Sequence, residues 1–100
     1  MAYQLIWAPA ARNDLRDITA FIARDNPDRA FSFAYELISQ TDKLQQFPEI
    51  GRTVPEYRTG NLREIIFGRY RIVYRVNHAR KRCEIARVWH SARGIPQNVI

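Results

Sequence analysis

The spacing of apolar side chains changes period along this chain, and the change separates a helical part from a β part. Residues 3–7, YQLIW, are a short β-prone run that stops at Ala8 and Pro9. Proline suits the first turn of a following helix, where its missing N–H would have no partner anyway. From 9 to about 24, Ala11, Leu15, Ile18 and Ile22 recur at steps of four, three and four, with Arg12, Arg16 and Asp17 outside that stripe. That is one face of an amphipathic helix. Asp25, Asn26, Pro27 and Asp28 then supply a capping side chain, a proline for the first helical position and an acid near the positive end of the helix dipole. The second helix so started is expected to turn Phe31, Ala34, Ile38 and Leu44 inward, with Thr41 filling the gap. It should end at Phe47, because the residue before Pro48 disfavours helical dihedrals. The short connection makes the pair a helical hairpin.

Residues 48–60, PEIGRTVPEYRTG, hold two prolines and two glycines without periodicity and read as a loop. A loop of that length in a compact domain points to use. Beyond it the period is two. Strands are expected at 62–67, 70–76 and 83–90, joined by two tight connections into an antiparallel meander. In the middle strand Tyr70, Ile72, Tyr74 and Val76 alternate with Arg69, Arg71, Val73 and Arg75, so one face can pack on helices while the other carries guanidinium groups. The third strand does not divide in this way: Ile85 and Trp89 share parity with Arg87, and Ala86, Val88 and His90 share the other. The expected architecture is α+β, in the order β-α-α-β-β-β, with a helical hairpin on one face of a small, mainly antiparallel twisted sheet. Residues 1–100 form a single domain, since 100 residues with 46% apolar content support one core and not two.

Charge sharpens this picture. Residues 1–50 carry 5 basic and 7 acidic side chains, a net −2, whereas residues 51–100 carry 11 basic and 3 acidic, a net +8. The surplus coincides with the β part, so it should form a compact basic surface that expects an anionic partner. Fourteen of the 16 basic residues are Arg, whose planar fork pairs bidentately with phosphate or carboxylate. The single Cys83 allows no internal disulfide and is expected to be buried beside Ile85. Two histidines, His78 and His90, offer no metal-ligand spacing, so neither a metal nor a cofactor is expected. No apolar run is long enough for a membrane span and no signal-peptide pattern precedes the first helix, which reads as cytoplasmic.

Three uses of the basic surface stay open. His90, at the end of the last strand near Arg93, could serve metal-independent acid-base catalysis on RNA with Arg71 and Arg75 on the phosphate, or could simply cap a strand end. Arg63, Arg69, Arg71, Arg75, Arg87 and Arg93 with Tyr70, Tyr74 and Trp89 resemble the cations and rings that bind nucleic acid, although the parity of Tyr70 and Tyr74 places them in the core. The same arginines could instead receive an acidic segment of a protein partner.

The runs DLRDITAFIARDNPDRA, FPEIGRTVPEY, LREIIFGRYRIVYRV and ARVWHSAR, in this order, resemble the RelE/ParE superfamily of toxins over about residues 8–93. The resemblance implies the toxin of a bacterial type II toxin-antitoxin pair, neutralised by a cognate antitoxin whose acidic segment would meet the basic sheet face. That antitoxin would also supply any contact with operator DNA. RelE-like members imply a ribosome-dependent messenger RNA endonuclease that uses sheet arginines and a C-terminal Tyr or His. ParE-like members imply inhibition of DNA gyrase. Ile65, Ile66 and Phe67 stand where RelE-like ribonucleases carry basic side chains, and the DNP connection and FPEIGR loop look more like the ParE branch. The gyrase reading is therefore preferred, with the ribonuclease using His90, Arg71 and Arg75 as the alternative.

Overall fold

The computed structural model describes residues 2–57 and 61–99. Strand β1 (Gln4–Trp7) leads through Ala8 into helix α1 (Pro9–Ala23), and α2 (Pro27–Asp42) returns beside it. A 3-10 turn (Lys43–Gln45) precedes β2 (Arg52–Thr53), β3 (Leu62–Phe67), β4 (Tyr70–Asn77) and β5 (Arg82–His90), and a second 3-10 turn spans Ser91–Arg93. The five strands form one sheet in the order β1-β5-β4-β3-β2. Among the described residues only β1 is parallel to its neighbour. The helical hairpin covers one face, as the α+β expectation has it.

Local chemistry sets the boundaries. The Asn26 side chain accepts a hydrogen bond from the Arg29 amide at 3.0 Å and Pro27 takes the first helical position. Helix α2 ends five residues before Phe47, the expected end, because the chain tightens into the 3-10 turn that buries Leu44. Its inward face also differs from expectation. Ala30, Phe33, Leu37 and Thr41 are buried, whereas Phe31 is 76% exposed and Ile38 41%. Apolar residues occupy two adjacent stripes of this helix, and packing of Phe33 against Phe67 and Tyr70 selects the other one. Within 48–60 the structure adds the short edge strand β2, paired to β3 through Arg52 with Glu64 and Thr53 with Arg63. Residues 58–60 of the expected loop, with Met1 and Ile100, lie outside the described residues.

The ambiguous parity of the third strand has a structural cause. Val73 pairs with Arg87 and Tyr74 with Ile85, so Ala86 is an extra residue, a β-bulge in β5. Below it Cys83 and Ile85 face the helices; above it Val88 does, and Ala86 joins the opposite face. Alternation from Val88 then puts Trp89 with its partner Arg71 on the outer face and His90 with Tyr70 on the helix face.

The helix-side core holds Ala11, Phe33, Leu37, Ile72, Tyr74, Ile85 and Val88, with Leu15, Ile18 and Ile22 of the expected α1 stripe packed against it. Cys83 is fully buried there, which pushes its thiol pKa up. The outer face carries a smaller cluster of Val54, Leu62, Val73, Ala86 and Val99, with Tyr57 packed on it. The open arginine face expected from the alternation is therefore partly roofed, by residues 54–57 and by the segment 96–99.

Candidate functional site

The six arginines expected to form one anion-facing surface fall into two groups. Four are matched within the protein. Arg71, 7% exposed, donates Nε to Glu64 at 2.5 Å and its two terminal nitrogens to Glu56 at 2.7 and 3.0 Å. Glu64 is itself buried and takes a second donor from Arg52 at 2.6 Å. These bonds hold the Glu56 carboxyl below its usual value and push the Arg71 guanidinium pKa up, in each case chiefly through the hydrogen bonds between them. Arg75 pairs with Glu84 at 2.9 Å and also donates to the Val99 carbonyl. Arg87 reaches round the open edge of β5 to make a bidentate pair with Asp14 of α1, at 2.7 and 2.9 Å, and donates to the Gln97 carbonyl. Arg63 donates to the Gly51 carbonyl at 2.8 Å and lies 3.6 Å from Glu49.

Arg69 and Arg93 form the second group, with no carboxylate partner among the described residues. Both sit at the end of the sheet beside His90. The Ser91 amide donates to the Arg69 carbonyl at 2.8 Å, which ties the last 3-10 turn to the β3–β4 turn. Arg93 stacks on Trp89 with its guanidinium carbon 4.0 Å from the ring centroid. His90 packs edge-on against Tyr70 at 5.1 Å, and its Nδ1 accepts from the Ala92 amide at 3.0 Å. Tyr74 is fully buried in the core as the parity implied, and Tyr70 packs half-buried against that core with part of its ring lining the groove described next.

His90 and Arg93 line an open groove of about 430 Å³. Its other wall is a stripe of α1, Asp14, Asp17, Ile18 and Phe21, spaced to share one helix face. Strand β1 ends at Trp7, which leaves the upper edge of β5 unpaired, and α1 fills in: Asp14 accepts the Val88 amide at 2.9 Å as a neighbouring strand would. His90 thus lies on the helix face of the sheet while Arg71 lies on the outer one. The expected set of His90, Arg71 and Arg75 does not converge on one point. Asp14, Glu56 and Glu64 escaped the reading of the sequence, although a glutamate inside the apolar run LREIIF is itself a sign of a buried partner.

Two apolar features complete the surface. Trp7, Leu15, Thr19, Ala34 and Ile38 line a groove of about 390 Å³ between the helices, with Arg12 and Arg16 at its margin. Phe21, Phe31 and Tyr35 are also exposed on the hairpin. No helix among the described residues is long and apolar enough to cross a membrane.

Residues 5–95 match the family described as ParE toxin of type II toxin-antitoxin system, parDE. Among solved structures the chain is similar to one from a chromosomal ParDE toxin-antitoxin system of Pseudomonas aeruginosa, with a TM-score of 0.72 and 22% identity over 89% of this chain and 96% of that one. It is also similar to a chain of the RelBE2 toxin-antitoxin complex of Mycobacterium tuberculosis, with a TM-score of 0.66 and 21% identity over 90% and 99% of the two chains. A mutant of the Escherichia coli toxin RelE in the free state gives a TM-score of 0.69 and 16% identity over 94% and 88%. At these identities the likenesses speak to the fold. A search of curated proteins gave no match.

Proposed function

Since the chain belongs to the ParE toxin family of type II toxin-antitoxin systems, we propose that it inhibits growth by binding DNA gyrase and that a cognate antitoxin holds it inactive. The observation that carries the choice of target is the division of His90 from Arg71 and Arg75. Metal-independent RNA cleavage needs a base, a cation at the phosphorane and an acid around one phosphate. Here the imidazole packs on Tyr70 at the helix face, and Arg71 already serves two carboxylates on the other. A guanidinium whose charge is already matched by two carboxylates makes a poor site for a scissile phosphate.

The antitoxin contact follows from the same pairing. An acidic segment gains little from Arg71 or Arg87, because each is neutralised in place. The groove of the helical hairpin suits it better: apolar side chains of an amphipathic segment would fill the space between Leu15 and Ile38, and its acids would meet Arg12 and Arg16. Reversing both arginines to glutamate is expected to slow capture of the antitoxin at least tenfold at low salt. Unchanged association kinetics would remove this contact from the proposal.

Gyrase inhibition is tested with purified components. At micromolar toxin, supercoiling of relaxed plasmid should fall or cleaved DNA should accumulate, while ribosome-bound message stays intact. Message cut at defined positions, and spared by His90→Ala, would favour the ribonuclease instead.

A further inference from the structure

The groove between α1 and the end of the sheet has a composition that neither gyrase docking nor antitoxin capture requires. It is lined by Val88 and Tyr70, by Phe21, which is 68% exposed, and by Arg93 and His90. Asp14 also lines it and is already engaged: both carboxylate oxygens accept from Arg87, and one also from the Val88 amide. Asp17 has no hydrogen-bond or ion-pair partner among the described residues and lines the same groove. Because His90 Nδ1 accepts the Ala92 amide, the proton of the neutral ring resides on Nε2, which leaves that nitrogen as a donor. The groove therefore offers aromatic walls, one acceptor carboxylate and two donors of positive or neutral character, within a volume of the size that holds small ligands.

We propose that this groove binds a nucleoside phosphate, either free or as one unit of a nucleic-acid strand. The base lies against Phe21 and Tyr70, its N–H edge donates to Asp17, and the phosphate is held by Arg93 and His90 Nε2. Arg69, joined to the same corner through Ser91, serves the next phosphate when the ligand is a strand. Asp17 is set against the base rather than the phosphate, because its carboxylate would repel the anion. It also favours guanine, which presents two adjacent donors to a carboxylate.

Binding is measured by titration calorimetry on the full chain with guanosine monophosphate, inorganic phosphate, a guanine-containing single-stranded DNA 12-mer and decaglutamate as separate probes. Guanosine monophosphate or the 12-mer should bind at least tenfold more tightly than inorganic phosphate. Arg93→Ala should cost at least tenfold, Phe21→Ala should bring the monophosphate down towards inorganic phosphate, and Arg80→Ala, in the far hairpin turn, should change neither by more than twofold. A monophosphate bound as tightly as the 12-mer identifies a free nucleotide as the ligand; a 12-mer bound tenfold better identifies a strand. The proposal is overturned if neither nucleotide probe exceeds inorganic phosphate, if Arg93→Ala and Arg80→Ala behave alike, or if decaglutamate binds most tightly. Gyrase takes no part in this readout, so its failure leaves the gyrase reading standing, and the reverse also holds.

Discussion

Glu64 decides what the arginines of this toxin can do. Fully buried between Arg71 and Arg52, it converts the most central guanidinium of the sheet from a surface cation into a structural one. Removing Glu64 takes a buried acceptor from Arg71 Nε and from Arg52 while Glu56 still holds the Arg71 fork, so Glu64→Ala is expected to cost about 1 to 3 kcal/mol in urea unfolding. Glu56 adds a pH dependence of defined sign. Its folded pKa lies below the ordinary 4.5, so the stability it contributes is complete above that value and disappears as pH falls through the lower folded value. Glu56→Gln should flatten the acid limb of a stability profile below about pH 4.5 and leave neutral-pH ligand binding alone. Gly51 is a second fixed point. Its amide donates to the Tyr74 hydroxyl at 2.9 Å, and an added Cβ would stand 2.6 Å from the Glu64 carbonyl oxygen and 2.8 Å from the Tyr74 ring. Gly51→Ala should therefore destabilise by about 1 to 3 kcal/mol in the same assay. The alternation of β4 was readable in the sequence, down to the burial of Tyr74. The ownership of its arginines was not, because Glu64 and Glu56 come from elements whose register only the folded sheet defines.

At the scale of elements, one extra residue governs the candidate site. The bulge at Ala86 lets Cys83 and Ile85 face the helices below it and Val88 and His90 do so above it. A strict alternation would have sent His90 to the same face as Ala86 and away from Tyr70. Nothing in CEIARVWH marks the bulge, so periodicity alone left this strand unassigned. Helix α2 shows the complementary failure: two apolar stripes compete, and only the aromatic contacts of Phe33 choose between them. The N-cap at Asn26, by contrast, was legible from four residues. Helix α1 has a role its sequence did not announce, since Asp14 closes the open edge of β5. Asp14→Ala leaves Arg87 unpaired and the Val88 amide without its acceptor, and should cost about 3 kcal/mol of stability. Hydrogen exchange at Val88 should accelerate with it. Protection at Val88 equal to that of the parent chain would show that α1 does not complete the sheet.

For the whole molecule, the +8 charge of the second half is less available than its count suggests. Four of the six sheet arginines are tied to carboxylates or carbonyls of the same chain, and the segment 96–99 lies across the outer face. Among the described residues, the open surfaces include an apolar helical hairpin margined by Arg12 and Arg16, and one corner of the sheet with Arg69, His90 and Arg93. A ribonuclease would need the guanidiniums that are engaged; a toxin that acts by docking needs only the surfaces that are free. The measurement that separates these most directly is a single induced culture, read at once for messenger RNA integrity and for the DNA-damage response. Gyrase-directed inhibition predicts a damage response with message uncut at early times. Position-specific cuts in message with no damage response would contradict it.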